Sequence, residues 1–205
     1  MKFVDSEHPR VMEWARGVTA GASDDRERAR RLFRAVREQT RYDPYTISTE
    51  PEDYVASNVL LRDRAYCIPK AVLLAAAARA VGIPAKLGFA DVMNHLSSPK
   101  LKATLNNQDL FIWHGYTALQ IDGTWLKATP AFNEALCRRF GVEALEFDGE
   151  HDALLQPFDG QGRQYMEYRA DRGTFEDLPL AEILADFRAL YGITGRTLHD
   201  PAFHS

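Results

Sequence analysis

Hydrophobic residues along this chain follow two periods, and the change between them divides the sequence. In residues 9–20, Val11, Trp14, Ala15 and Val18 recur at helical spacing. Residues 24–39 repeat the pattern with Ala29, Leu32, Phe33 and Val36. Ser23 reads as the N-cap of that second helix, with Asp24 and Asp25 in its first turn, where negative charge suits the helix dipole. Pro44 pushes Asp43 out of helical geometry, so residues 41–45 read as extended. Thr49-x-x-Glu52 has the form of a capping box opening a short helix toward Leu61. From Ile68 to Val81 nearly every position is apolar, and a helix that is apolar all round belongs inside a fold. Pro69 suits its first turn, Gly82 suits the left-handed residue that ends it, and Pro84 blocks continuation.

After Pro84 the period drops to two. Ala85, Leu87 and Phe89 alternate as a strand. Residues 91–109 read as a long polar loop holding Asn94, His95, Ser97, Ser98 and Pro99. Residues 111–120 form a second strand, Asp122-Gly123 a two-residue hairpin turn, and residues 125–129 the returning strand. With Ile121 opposite Thr124, the register sets His114 opposite Ala131 and diagonal to Thr129 on one face. Asn133 reads as the cap of a short helix through Phe140, ended by Gly141. Residues 145–147 and 165–169 are further strands. The spacing of Leu180, Ile183, Leu184, Phe187 and Leu190 predicts a helix over 179–191. Helices first and a mostly antiparallel sheet afterwards make an α+β fold.

Composition narrows the classes of function. The 205 residues, 45% of them hydrophobic, suffice for one core, and the expectation is a single domain over residues 1–205. A net charge of −4 argues against a nucleic-acid partner. The arginines of residues 26–41 are interleaved with acids and apolar positions, as on a solvated helix face. No apolar run is long enough to span a membrane, and the first nine residues lack the apolar centre of a signal peptide. A cytoplasmic location is the expectation. Two cysteines make no disulfide framework, and Cys137, between Leu136 and Phe140, reads as core. There is no phosphate-cradling glycine loop, no dinucleotide fingerprint and no short metal-ligand spacing, so no cofactor and no metal are expected.

The chemistry centres on Cys67. It stands at the head of the apolar helix, where free backbone N–H groups and the helix dipole favour a thiolate. Thiol attack on an acyl group also needs an imidazole to move the proton and a third group to hold that imidazole. His114, on the following strand, is the candidate imidazole.

The order of motifs is Tyr66-Cys67, then Arg79-Ala80-Val81-Gly82-Ile83-Pro84-Ala85, then Trp113-His114, Gly123-Thr124-Trp125 and Thr129-Pro130. In that order it resembles the transglutaminase-like superfamily, with its papain-like Cys–His fold, over about residues 28–135. The resemblance implies helices packed on a mostly antiparallel sheet, Cys67 as nucleophile and His114 as base, with the strands and helix of 136–205 appended to that core. Two positions depart from the family pattern. Ala65 stands where a turn glycine is usual, and Thr129 stands where an aspartate would orient the histidine. The third group is then the Thr129 hydroxyl, the Asn133 amide, or something distant in sequence.

For the oxyanion, the Cys67 N–H supplies one donor, with Tyr42 or Asn58 as candidates for the second. His95 is a candidate substrate contact, and Trp113 a supporting or packing residue. The function implied is a cysteine protease or amidase, that is, a hydrolase or acyltransferase working through a Cys67 thioester. Its substrate would be a peptide, a protein or a small amide. The alternative is a binding or scaffolding domain that kept the fold and lost the chemistry. The oligomeric state is not legible in the sequence.

Overall fold

The computed structural model describes residues 1–155 and 159–195. Helices α1 (Pro9–Val18) and α2 (Asp25–Gln39) come first, followed by the short strand β1 (Arg41–Tyr42). A 3-10 turn (Pro51–Tyr54), the single turn α3 (Ala56–Val59) and strand β2 (Arg64–Ala65) lead into α4 (Cys67–Ala80). Then come β3 (Ala85–Asn94), α5 (Pro99–Thr104), β4 (Leu110–Ile121), β5 (Thr124–Ala128) and α6 (Glu134–Phe140), with β6 (Met166–Phe175) and α7 (Leu180–Tyr191) closing the order. Of the segment 136–205, the last ten residues lie outside the described part.

Four strands form an antiparallel sheet in the order β5-β4-β3-β6, while β1 and β2 pair in parallel by themselves. Helix α4 lies against β3 and β4 and is covered on its other sides by α1, α2 and α3. This is the expected α+β arrangement, with Cys67 opening a buried helix. Every residue from Cys67 to Ala78 is buried. The alanines let neighbouring elements come close, and Ile68, Leu73 and Leu74 fill the space between them. Each of those larger side chains contributes about 1.5–3 kcal/mol by leaving water. The hairpin has the expected register, Ile121 with Thr124 and Thr117 with Ala128, around left-handed Asp122 and Gly123.

Lys70 interrupts the apolar surface of α4. Its Nζ donates to the carbonyls of Arg37, at 2.9 Å, and Thr40, at the C-terminal end of α2, where a cation meets the negative end of the helix dipole. Burial pulls its pKa down to about 7. Arg37 is buried too, donating to Glu38, Glu146 and the Leu145 carbonyl, so the arginine-rich helix is not solvated throughout.

Several local expectations are corrected. Asp24, rather than Ser23, caps α2, accepting from the Glu27 N–H at 2.8 Å; Ser23 stands one residue outside and donates its N–H to Glu27. No capping box forms at Thr49 and Glu52, because Pro51 starts the 3-10 turn with Glu50 as its cap and no side-chain cap bond. Residues 91–109 are not one loop: β3 runs on to Asn94, and Ser98 caps α5 through the Leu101 N–H at 3.2 Å. Residues 145–147 form no strand, the Leu145 carbonyl being taken by Arg37 and Phe147 packing on Phe33. The strand expected over 165–169 extends to Phe175, paired along β3. Among the described residues no helix is long and apolar enough to cross a membrane.

Candidate active site

Cys67 is the first residue of α4 and is 8% exposed. Strand β4 reaches it through Gly115. A Cβ at that glycine would stand 3.1 Å from the Ile68 Cα and 3.4 Å from the Cys67 carbonyl oxygen, so a side chain there would force the strand away. The close approach aims the Gly115 N–H at the sulfur. Together with the N–H groups of Ile68 and Cys67 it favours the thiolate, but burial outweighs all three and carries the thiol up to about 11. The helix start thus acts in the direction expected from sequence, while the net state is a thiol, since desolvation penalises the bare charge more than these dipoles stabilise it.

His114 follows an irregular point in β4. Ala90 pairs with His114 and Val92 with Phe111, so β4 carries an extra residue in that interval. Trp113 adopts φ +57°, a left-handed conformation that costs a non-glycine residue about 1–3 kcal/mol. Such a bulge re-aims the side chains beside it. Side chains from three other elements hold it in place. Asp91 accepts from the Trp113 N–H at 3.1 Å, and Asp186 accepts from the indole N–H at 2.8 Å. The Arg172 guanidinium lies 4.5 Å over the indole and pairs with both carboxylates.

The imidazole is 5% exposed, and its Nε2 has no hydrogen-bond partner among the described residues. Burial lowers its pKa to about 4, so His114 is neutral near pH 7. The Thr129 hydroxyl is likewise buried and without a hydrogen-bond partner among the described residues, while the Thr129 N–H donates to the Ala153 carbonyl at 3.0 Å. Tyr168 of β6 lies near both groups. Its ring meets the imidazole edge-on at 6.4 Å, and its phenol oxygen accepts from the Leu155 N–H at 3.3 Å. Burial raises the Tyr168 pKa, and the Thr129 hydroxyl pulls it back, close by but without hydrogen-bond geometry. Tyr168 was not a sequence candidate; the only signal was its place in an expected strand.

Two cavities meet at His114. One, of about 30 Å³, lies among Cys67, His114, Tyr42, Tyr66, Phe111 and Trp113. The other, of about 450 Å³, shares Tyr42, Pro44, Phe111 and His114 as walls and includes His95. The structure therefore brings Cys67, His114, Tyr42 and Trp113 around one space, with His95 beyond it. Tyr42 is close enough to Cys67 that the thiol adds to the rise that burial gives its phenol. His95 Nε2 lies 3.0 Å from Glu167. Asn133 occupies the cap position of α6, but its side chain accepts from the Tyr42 N–H at 3.1 Å and thereby holds β1. Asn58 is exposed, donates to the Glu52 carbonyl at 3.0 Å and lines neither cavity. Among the described residues no three His, Cys, Asp or Glu side chains are placed to hold a metal ion.

A thiol at the head of a buried helix, with an imidazole on the adjoining antiparallel strand, defines a papain-like class of fold. The chain belongs to the transglutaminase-like superfamily, whose family model matches residues 12–130 and so takes in α2 and most of α1 as well as the motifs. No curated protein matches the sequence. Among solved structures, a candidate cysteine protease from Cytophaga hutchinsonii is similar in fold, with a TM-score of 0.51 and 15% identity over 98% of this chain and 50% of that one. A candidate protease from Parabacteroides distasonis matches 62% of this chain and 24% of its own, at 15% identity and a TM-score of 0.45. The chain thus spans half the length of the first protein and about a quarter of the second.

Proposed function

We propose that this chain is a cysteine-dependent hydrolase that cleaves an amide or peptide bond. The observation that carries the reading is that Cys67 and His114 line one small space, with the Gly115 strand packed close on the start of the Cys67 helix. Neutral His114 takes the thiol proton as the sulfur attacks the carbonyl carbon. The Cys67 N–H faces the oxyanion, and Tyr42, on the wall of the same space, is the second donor. His114 then gives its proton to the departing amine as the C–N bond breaks, which leaves a thioester on Cys67. Water attacks that thioester, losing its proton to His114, and the acid and the thiol are released. An amine in place of water would make the same thioester serve acyl transfer. Hydrolysis is preferred because the Cytophaga protein of similar fold is a candidate cysteine protease. The substrate is a peptide, a protein or a small amide.

A second reading, a binding or scaffolding domain without chemistry, draws on the unpartnered Nε2 of His114 and on Thr129 in place of a carboxylate. Acylation by p-nitrophenyl acetate, followed by intact mass, separates the two. The hydrolase reading expects one acyl group per chain, on Cys67, absent from Cys67→Ala and about 10²-fold slower to form in His114→Gln. An unmodified Cys67, or a rate indifferent to His114, rejects it in favour of the second.

A further inference from the structure

The space beyond His114 is far larger than the space beside the thiol, about 450 Å³ against about 30 Å³. Cys67 lines the small cavity alone, whereas His114 lines both. In thiol attack on an amide the acyl carbon must sit on the sulfur, and the leaving nitrogen must sit within reach of the imidazole that protonates it. The large cavity therefore lies on the leaving-amine side of the scissile bond.

Its surface is mostly aromatic and aliphatic, with Asn94, Ser97 and Ser98 on one side, each hydrogen-bonded to nearby backbone. Phe132 stacks on Tyr165 at 6.3 Å and meets Tyr42 edge-on at 4.7 Å, and Leu136, Val142 and Leu155 extend that wall. Besides His114 and the phenols of Tyr42 and Tyr165, which burial keeps neutral, Arg163 and His95 line it, and both are paired: Arg163 with Asp159 at 2.7 Å, and His95 with Glu167 at 3.0 Å. A charged group entering would lose its water and meet no unpaired counter-charge among the described residues. At the rim, Phe140 and Leu96 are 49% and 38% exposed, apolar surface that an incoming apolar group would cover. The volume is in the range of small-molecule sites and exceeds what one aliphatic side chain fills.

We propose that this cavity receives a large neutral apolar group, aromatic for preference, carried on the amine side of the amide. In a peptide that is the residue after the cleaved bond. The assignment of sides rests on the hydrolase reading of Cys67 and His114; the apolar character of the ligand does not.

Binding to Cys67→Ala protein tests it without requiring turnover. The probes are N-acetyl-glycyl-X-amides with X as Phe, Leu, Ala, Lys or Glu, and N-acetyl-phenylalanyl-glycinamide as the reversed case, all titrated by calorimetry. Phe and Leu should bind at least tenfold tighter than Ala, Lys and Glu no tighter than Ala, and the reversed peptide no tighter than the Ala probe. Leu136→Trp, which fills the cavity from its wall, should remove the Phe advantage, with Val142→Phe as the second filling variant if the first melts early. Equal binding of all probes, none detected included, overturns the proposal, as does a preference for Lys or Glu or an unaltered Phe advantage in a folded filling variant. Tighter binding of the reversed peptide overturns the assignment of sides. A Phe preference that persists while wild-type Cys67 resists acylation rejects the hydrolase reading and leaves the apolar site standing.

Discussion

Cys67 and His114 border the same small space, yet the fold holds them by different means. Three backbone N–H groups, from Gly115, Ile68 and Cys67, are directed at the sulfur. Among the described residues no backbone N–H is directed at the imidazole, and its Nε2 has no partner. Burial drives both toward the neutral form, the thiol up to about 11 and the imidazole down to about 4, with the backbone opposing it only at the thiol. The thiol's donors belong to a helix start and a glycine, features of the main chain. The imidazole depends on side chains: the Asp91, Arg172 and Asp186 hold on Trp113, and Tyr168 against its ring. The contrast teaches that the thiol is supported by the main chain and the imidazole by side chains, so a missing carboxylate, which the resemblance implies at Thr129, would fall on the imidazole.

The strongest way to break this comparison is Cys67→Ala, which should abolish acylation and amide hydrolysis while leaving urea stability within about 1 kcal/mol. Hydrolysis at the wild-type rate would remove Cys67 from the chemistry. Next in size is the pH dependence of stability. Unfolded His114 binds a proton near its ordinary pKa of 6.5 and folded His114 only near 4, so the unfolded chain holds more protons between those values. This contribution is complete above pH 6.5 and is lost as pH falls to 4, by about 3 kcal/mol in all. Urea melts at pH 7 and pH 4 should show that loss in the wild type and a smaller one in His114→Gln; equal losses would place the imidazole in water.

Thr129→Asp sharpens the comparison by supplying the missing carboxylate. A carboxylate beside the imidazole should raise the His114 pKa by about one to three pH units, read by NMR titration. An unmoved pKa would show that residue 129 does not face the ring. Gly115→Ala should cost about 1–3 kcal/mol and slow acylation, since the new methyl pushes β4 off Ile68 and withdraws the N–H from the sulfur. Full stability together with full acylation rate would disprove the close approach. The smallest effect is expected for Arg172→Met, about 1–2 kcal/mol by thermal melting, from the lost stacking on Trp113 and the lost pairing with Asp91. A neutral result would mean that the bulge holds its shape without the arginine.

Much of the fold was legible because its signals are local. The bounds of α4 follow from Pro69, Gly82 and an apolar run broken only by Lys70 and Arg79, and the hairpin from Asp122-Gly123, each acting within a few residues. Where local signals competed, sequence reasoning chose wrongly: Asp24 displaced Ser23 as a cap, and Pro51 displaced the box at Thr49. The long polar stretch hid α5 because Ser98 and Pro99 read equally as turn residues and as a helix start.

By itself the sequence determined that Cys67 opens a buried helix and that His114 sits on the second strand after it, and it set Thr129 where the resemblance implies a carboxylate. These follow from period, punctuation and residue type, which are properties of neighbouring positions. Only the tertiary structure decided that Trp113 bulges, that Tyr168 comes near both His114 and Thr129, that Asn133 serves Tyr42, and that burial drives thiol and imidazole toward their neutral forms. Those outcomes depend on contacts between residues far apart in the chain and on the exclusion of water from the space they enclose. No local pattern encodes desolvation, because it is a property of the folded volume.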